Sequence, residues 1–154
     1  IDSPVHAGEF MMDILQTIKV ENLRKRIKKV KCVNEDMAFS EFKKIFSSTK
    51  QHYFPVINRK GDFSGIFSSN DIREVIFTTH IENLVVMKDI MVSDLIYTTP
   101  SEDLNTVLLK LTQKNIDALP VMEEENSGQL IGLIYRRDII SYYNDHIKKI
   151  KDQE

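Results

Sequence analysis

The chain carries one pattern twice, and that repetition constrains its folding more than any single residue does. The run His52-Tyr53-Phe54-Pro55-Val56-Ile57, a loop and the stretch Phe63 to Asp71 return as Asp117-Ala118-Leu119-Pro120-Val121-Met122, a loop and Leu130 to Asp138. Phe54-Pro55-Val56 matches Leu119-Pro120-Val121 at an offset of 65 positions. Gly65 and Asp71 match Gly132 and Asp138 at 67, because the acidic loop of the second copy is longer. Self-similarity at this period marks two supersecondary units, each too small to bury a core alone. Two such units are expected to pack face to face, and a site at their junction would come in two related but unequal versions.

With 154 residues, 42% hydrophobic and 29% charged, the composition is that of a globular chain and suffices for one domain built from two half-size repeats. No apolar run is long enough to cross a bilayer. Ile1 to Phe10 lacks the basic and apolar regions of a signal peptide, and a start without Met reads as that of a fragment. The single Cys32 excludes an internal disulfide and a cysteine zinc cluster and suits a reducing compartment. A net charge of −2 carries no overall nucleic-acid signature.

Phe39, Phe42 and Phe46 fall at i, i+3 and i+7, and Leu104, Val107, Leu108 and Leu111 repeat that helical stripe after Pro100-Ser101-Glu102. Each helix precedes a β-rich run with Pro-Val, a turn (Asn58 to Asp62; Glu123 to Gly128) and a second β-rich run through Gly65 or Gly132. A closing helix is expected over Asp71 to Phe77 and over Asp138 to Ile147. Short extended runs at Val30 to Val33 and Leu95 to Thr98 complete the order β-α-β-β-α, twice.

This order, with a glycine-bearing hairpin and an aspartate opening the last helix, resembles the CBS motif, and the two copies resemble a tandem CBS pair over roughly residues 20 to 147. The resemblance implies an α/β (α+β) fold of two β-α-β-β-α CBS repeats packed with pseudo-twofold symmetry, repeat 1 over 20–80 and repeat 2 over 81–154. Asp2-Ser3-Pro4-Val5-His6-Ala7-Gly8-Glu9-Phe10 is similar to the stretch joining the last membrane helix of ClC-type chloride channels and transporters to their cytosolic CBS pair. Ser, Pro and Gly near a terminus more commonly mark a disordered tail. The family reading makes residues 1–19 a linker from an upstream transmembrane chloride-transport domain. It implies a non-enzymatic regulatory module of a voltage-gated chloride channel or chloride/proton antiporter, on the cytoplasmic face of a membrane. Such a module is a homodimer that requires no cofactor and takes ATP, ADP or AMP as a regulatory ligand. Two other readings stand beside it: a CBS pair regulating another enzyme or transporter, and a structural dimerisation domain whose pockets Tyr135, Ile116 and their neighbours close.

Ser68-Ser69-Asn70-Asp71 sits at a strand-to-helix turn, where a carboxylate can accept from vicinal ribose hydroxyls and the free helix N–H groups can face a phosphate. Asn and Asp are also favoured there simply as caps. In the CBS family the ribose is held by the aspartate of one repeat and a hydroxyl residue three before it, and the base by the other repeat. Carried over, site one combines Tyr135, Arg137 and Asp138 with Val30, Lys31, Cys32, Gln51 and His52. Site two, the weaker, combines Ser68, Asn70 and Asp71 with Leu95, Ile96, Ile116 and Asp117. Arg136, Arg137, His52 and Lys31 give site one the cations for a di- or triphosphate, whereas site two has Asp117 turned inward and no evident cation. Departing from the family, Tyr135 stands where a small hydroxyl residue is usual, and Gln51 where an aromatic can stack on adenine.

Arg24 to Lys31 holds six cations in eight positions: a solvated surface, an attraction to anionic lipid, or a positive field beside site one. No aromatic residues interleave with them, which argues against nucleic acid. His6, His52, His80 and His146 lack metal-ligand spacing, and no Ser or Cys sits in a nucleophile motif, so catalysis finds no support. Apolar residues Ile72, Val75, Ile76, Phe77, Ile139, Ile140 and Tyr143 of the two closing helices are the expected dimer faces.

Overall fold

The computed structural model describes residues 4–76, 84–93, 95–125 and 127–153. Ile1, Asp2, Ser3, Phe77 and His80, all used above, lie outside them, as do the side chains of Pro4, Val5, His6, Ala7 and Ile76. The helices are α1 (Pro4–Gln16), α2 (Phe39–Phe46), α3 (Ser69–Ile76), α4 (Met87–Ile90), α5 (Leu104–Lys114) and α6 (Arg136–Asp152), with a 3-10 stretch at Val20–Arg26. The strands are β1 (Val33–Asn34), β2 (Tyr53–Ile57), β3 (Phe63–Ser68), β4 (Ala118–Met122) and β5 (Leu130–Tyr135). The fold is mixed α+β, built from two repeats. In the first, β1 runs parallel to β2 and β2 antiparallel to β3; in the second, β4 pairs with β5. The extended runs expected to open each repeat shrink to two residues in β1 and, in the second repeat, to one parallel bridge between Thr98 and Val121. That bridge is the counterpart of Val33 paired with Val56.

Contacts divide the chain into unit I (Ile1–Lys28, Ile96–Glu124, Ile131–Glu154) and unit II (Lys29–Leu95, Glu125–Leu130). The units do not coincide with the repeats, and the main-chain pairing says why. In unit I the segment before the first repeat lies along the second: Lys19 bridges to Asp103 and Lys28 to Leu133. In unit II the segment before the second repeat lies along the first: Val86 bridges to Ala38 and Val92 to Ile66. Each leading segment opens with the same local lock, Lys19 N–H donating to Asn22 Oδ1 at 2.8 Å and Val86 N–H to Asp89 Oδ2 at 3.0 Å. This exchange explains the two hairpin glycines. A Cβ at Gly65 would stand 2.6 Å from Met91 Sδ and 2.9 Å from the Val92 carbonyl, and a Cβ at Gly132 would collide with the Lys28 carbonyl.

Unit II buries an aromatic core in which Phe42 meets Phe54 and Phe67 edge-on at 5.0 and 5.2 Å and Phe54 stacks on Phe67 at 5.2 Å. Each such pair adds about 0.5–1.5 kcal/mol beyond area burial. Unit I is aliphatic: Leu104, Val107, Leu111, Leu119, Val121, Ile134 and Ile139 pack with Leu15, Ile18, Val20 and Leu23. The segment expected to be a linker therefore forms a helix, α1, and Leu15 on it and Ile18 beyond it are buried in this core. Ile72 and Ile139 are fully buried, and Val75 and Tyr143 pack against the two cores. Ile72 and Ile139 are therefore core positions and not part of an exposed dimer face: on an amphipathic helix the strongest apolar stripe turns to the core first.

Candidate functional site

Both closing helices start two residues earlier than expected, which puts Asp71 and Asp138 at the third helical position. In unit II, Asp71 Oδ2 accepts from the Ser68 N–H at 2.8 Å and the Ser68 hydroxyl at 3.1 Å, while the Asp71 N–H lies 3.4 Å from Ser68 Oγ. This reciprocal cap satisfies otherwise free N–H groups of the first helical turn, and it engages the Asp71 carboxylate. In unit I the cap position is Tyr135, whose side chain makes no capping hydrogen bond. Asp138 Oδ2 is shut off from solvent and has no hydrogen-bond partner. A buried acceptor left unmet costs about 1–3 kcal/mol, and more when charged.

The strand before each hairpin meets its helix in the same way: Ser69 N–H donates to the His52 carbonyl and Arg136 N–H to the Asp117 carbonyl, both at 2.8 Å. The side chains then diverge. Ser69 Oγ lies 3.5 Å from His52 Nδ1, so within unit II His52 stands beside the start of α3. Arg136 Nε lies 3.8 Å from Asp117 Oδ1, and its other nitrogens reach the Ile116 carbonyl and Thr112 Oγ1, each at 3.4 Å. The Asp117 side chain is 80% exposed. The expected inward carboxylate without a cation is thus corrected: Asp117 faces outward, opposite Arg136, and part of the charge assigned to site one is already met. Arg137 holds its guanidinium over the Tyr135 ring, 4.6 Å from the centroid.

Asp117, Tyr135, Arg136 and Arg137 line an open cleft of about 670 Å³ together with Ile140, Ser141, Asn144 and Asp145 of α6. The last four were not among the sequence candidates. Arg137, Ile140, Ser141 and Asn144 are spaced i, i+3, i+4 and i+7, so the signal existed once the phase of α6 was known. Arg26 donates to Ser141 Oγ at 3.0 Å and pairs with Asp145 at 2.7 Å, and its Cζ sits 5.3 Å from the centroid of the Tyr142 ring. Arg24 pairs with Glu123 at 2.7 Å. Two of the six cations in the basic run are therefore bound internally, leaving Lys25, Lys28, Lys29 and Lys31 exposed.

Among the remaining candidates, Gln51 is turned back on its own chain: Oε1 accepts the Lys31 N–H at 3.1 Å, and Nε2 donates to the carbonyls of Lys31 at 2.8 Å and Tyr53 at 2.9 Å. Cys32 is half-buried with its Sγ 3.9 Å from the Val30 carbonyl, and burial pushes its thiol above the usual range. Asn70 Oδ1 lies 3.5 Å from Arg73 Nη1. Leu95 is half-buried, and Ile96 and Ile116 pack against the core of unit I.

The doubled strand-turn-helix with its aspartate matches the CBS domain over residues 20–78 and 87–145. The chain belongs to the CBS domain family. This CBS pair is 31% identical over 119 residues to a methylated protein of Methanocaldococcus jannaschii, a match covering 71% of this chain and 67% of that one. It is 30% identical over 113 residues to an uncharacterized protein of the same organism, covering 73% of this chain and 40% of the relative, so it spans less than half of that protein. A CBS domain pair solved in complex with 5′-methylthioadenosine and S-adenosyl-L-methionine shares the fold, with a TM-score of 0.65, 20% identity, and coverage of 84% of this chain and 98% of that one. The CBS pair is a regulatory module by family. Among the described residues no helix is long and apolar enough to cross a membrane, and no cluster of His, Cys, Asp and Glu is placed to hold a metal.

Proposed function

We propose that this CBS pair senses an adenosine-containing ligand, with Asp138 accepting from the ribose hydroxyls and Arg137 beside it drawing a 5′ substituent that carries negative charge. The carrying observation is the contrast between the two aspartates: Asp71 is engaged by Ser68, whereas Asp138 Oδ2 is buried without a donor. Two vicinal hydroxyls are donors of the kind that oxygen lacks, and they reach it once the side chains that shut it off from solvent part. The structural relative crystallised with two adenosine derivatives supports the ligand class.

Calorimetric titration with adenosine, ADP and ATP tests the reading. Hydrogen bonds to a charged acceptor are worth about 1.5–3 kcal/mol each, so Asp138→Ala should weaken binding roughly ten- to a hundredfold or more. Asp71→Ala should change it far less. Equal losses in the two variants, or no heat for any nucleotide at millimolar concentration, would overturn the proposal. With Arg136 directed at Asp117, phosphate attraction rests on Arg137, so Arg137→Ala should cost ATP more than adenosine, and added salt should do the same.

The narrowest form of the proposal makes the module the cytosolic regulator of a ClC-type chloride channel or antiporter, as the stretch Asp2 to Phe10 suggests. The relatives described above do not bear on chloride transport. The gene sequence upstream of Ile1 decides it: several long apolar segments are expected, and their absence would leave a regulator of some other protein. Self-association belongs to the same proposal. Phe10 and Met12 on α1 and Leu109 on α5 remain about half exposed, and a second copy would cover them. A monomer mass by light scattering at tens of micromolar concentration would count against it.

A further inference from the structure

We propose that Arg26, on the segment that leads into the first repeat, is a displaceable cation that reads the outer phosphates of a nucleotide lying along α6; this rests on the adenosine-sensing reading above. Asp138, Ser141, Tyr142 and Asp145 are spaced i, i+3, i+4 and i+7 on α6, so they share one stripe of that helix, with about 5.4 Å of rise per turn. Arg26 spans the stripe one to two turns beyond Asp138: it donates to Ser141 Oγ and to Asp145 Oδ2 and lays its guanidinium over the Tyr142 ring. Ser141 and Asp145 also line the cleft, together with Arg137 and Asn144. The cleft and the cation of the leading segment therefore share two side chains, and all of these residues belong to unit I.

Arg137 directly precedes Asp138 and supplies the charge for a phosphate next to the ribose. A second or third phosphate directed along the stripe arrives where Ser141 and Asn144 offer donors and where the Arg26 guanidinium already lies. A guanidinium binds phosphate and carboxylate through the same planar fork, so Arg26 can exchange Asp145 for a phosphate. The exchange costs the protein little: the side chains of Arg26 and Asp145 are 32% and 58% exposed, pairs this open contribute little, and water meets the carboxylate left behind. Asp145 thus competes with the ligand for Arg26, whereas Arg26 assists the ligand. Substitutions at the two positions should act in opposite directions.

The test titrates the wild-type chain, Arg26→Gln and Asp145→Asn with adenosine and with ATP. Arg26→Gln should weaken ATP about tenfold and Asp145→Asn should strengthen it about threefold or more, both leaving adenosine within about twofold of the wild type. In the wild type, ATP and not adenosine should shift the Arg26 Nε–H resonance, because the guanidinium leaves the Tyr142 ring. A purely structural Arg26–Asp145 pair would move the two variants the same way and affect adenosine and ATP alike; that result overturns the proposal and leaves the sensing function standing. So does an Arg26→Gln chain that prefers ATP over adenosine as much as the wild type does, or an unmoved Arg26 resonance in the ATP-bound wild type. Silence of the wild type toward both ligands overturns the adenosine reading and the role of Arg26 with it.

Discussion

At Asp71 and Asp138 one sequence position meets two environments, and the difference lies three residues upstream, where Ser68 can cap a helix and Tyr135 does not. Loss of a helix cap costs about 1 kcal/mol, so Asp71→Ala should lower the melting temperature. Asp138→Ala removes an oxygen with no partner and should leave the melting temperature unchanged or raised. A larger thermal loss in Asp138→Ala would show that this carboxylate has a structural partner after all. Asp103 gives a pH signature. Burial alone would raise its carboxyl, but the hydroxyl and N–H of Thr106 and the charge of Lys19 outweigh burial and hold it below the usual range. A depressed carboxylate contributes stability above the ordinary aspartate range, near pH 4, and that contribution fades as the pH falls through the lower folded value. Asp103→Asn should flatten the acid limb of a melting-temperature profile, and an unchanged limb would contradict the assignment. At this scale the sequence made the aspartates visible because they repeat. It concealed which of them is engaged, because a capping partner and a ribose donor select the same residue types.

Helices and strands announced by periodicity or by turn residues, α2, α5 and the two hairpins, stand where the pattern places them. The leading segments did not announce themselves: single helical turns such as α4 offer too few residues for a period, and their partners lie in the other repeat. Gly65 and Gly132 were readable as hairpin glycines, but their reason is the main chain of those segments passing over them. Gly132→Ala should be the more damaging change, since it meets a carbonyl paired in the Lys28–Leu133 bridge, whereas Gly65→Ala first meets the flexible Met91 thioether. Overpacking of this kind costs about 1–3 kcal/mol, measurable as a fall in the urea midpoint. Equal midpoints for the two variants would mean that the Lys28 segment yields freely.

For the whole chain, length and repetition pointed to two half-size units, and the partition into units I and II cuts across the repeats instead. A pattern along one strand of sequence records which residues face a core, not which repeat supplies the other wall. Residues 86–154 alone would lack Leu15, Ile18, Val20 and Leu23, four members of the unit I core. Burial of such side chains contributes about 1.5–3 kcal/mol each, against a typical total stability of about 5–15 kcal/mol. That fragment should give a poorly dispersed amide spectrum and no sharp melt, and a well-folded fragment would refute the composite core. The exchange of leading segments also bears on the order of synthesis. A ribosome releases residues 4–28 before residues 29–95, yet the partners of that arm, Asp103 and Leu133, emerge only after them. Unit II, mostly contiguous in sequence, can begin to assemble while unit I waits with an apolar arm uncovered, so the nascent chain is most in need of a chaperone in the interval before α5 and β5 appear.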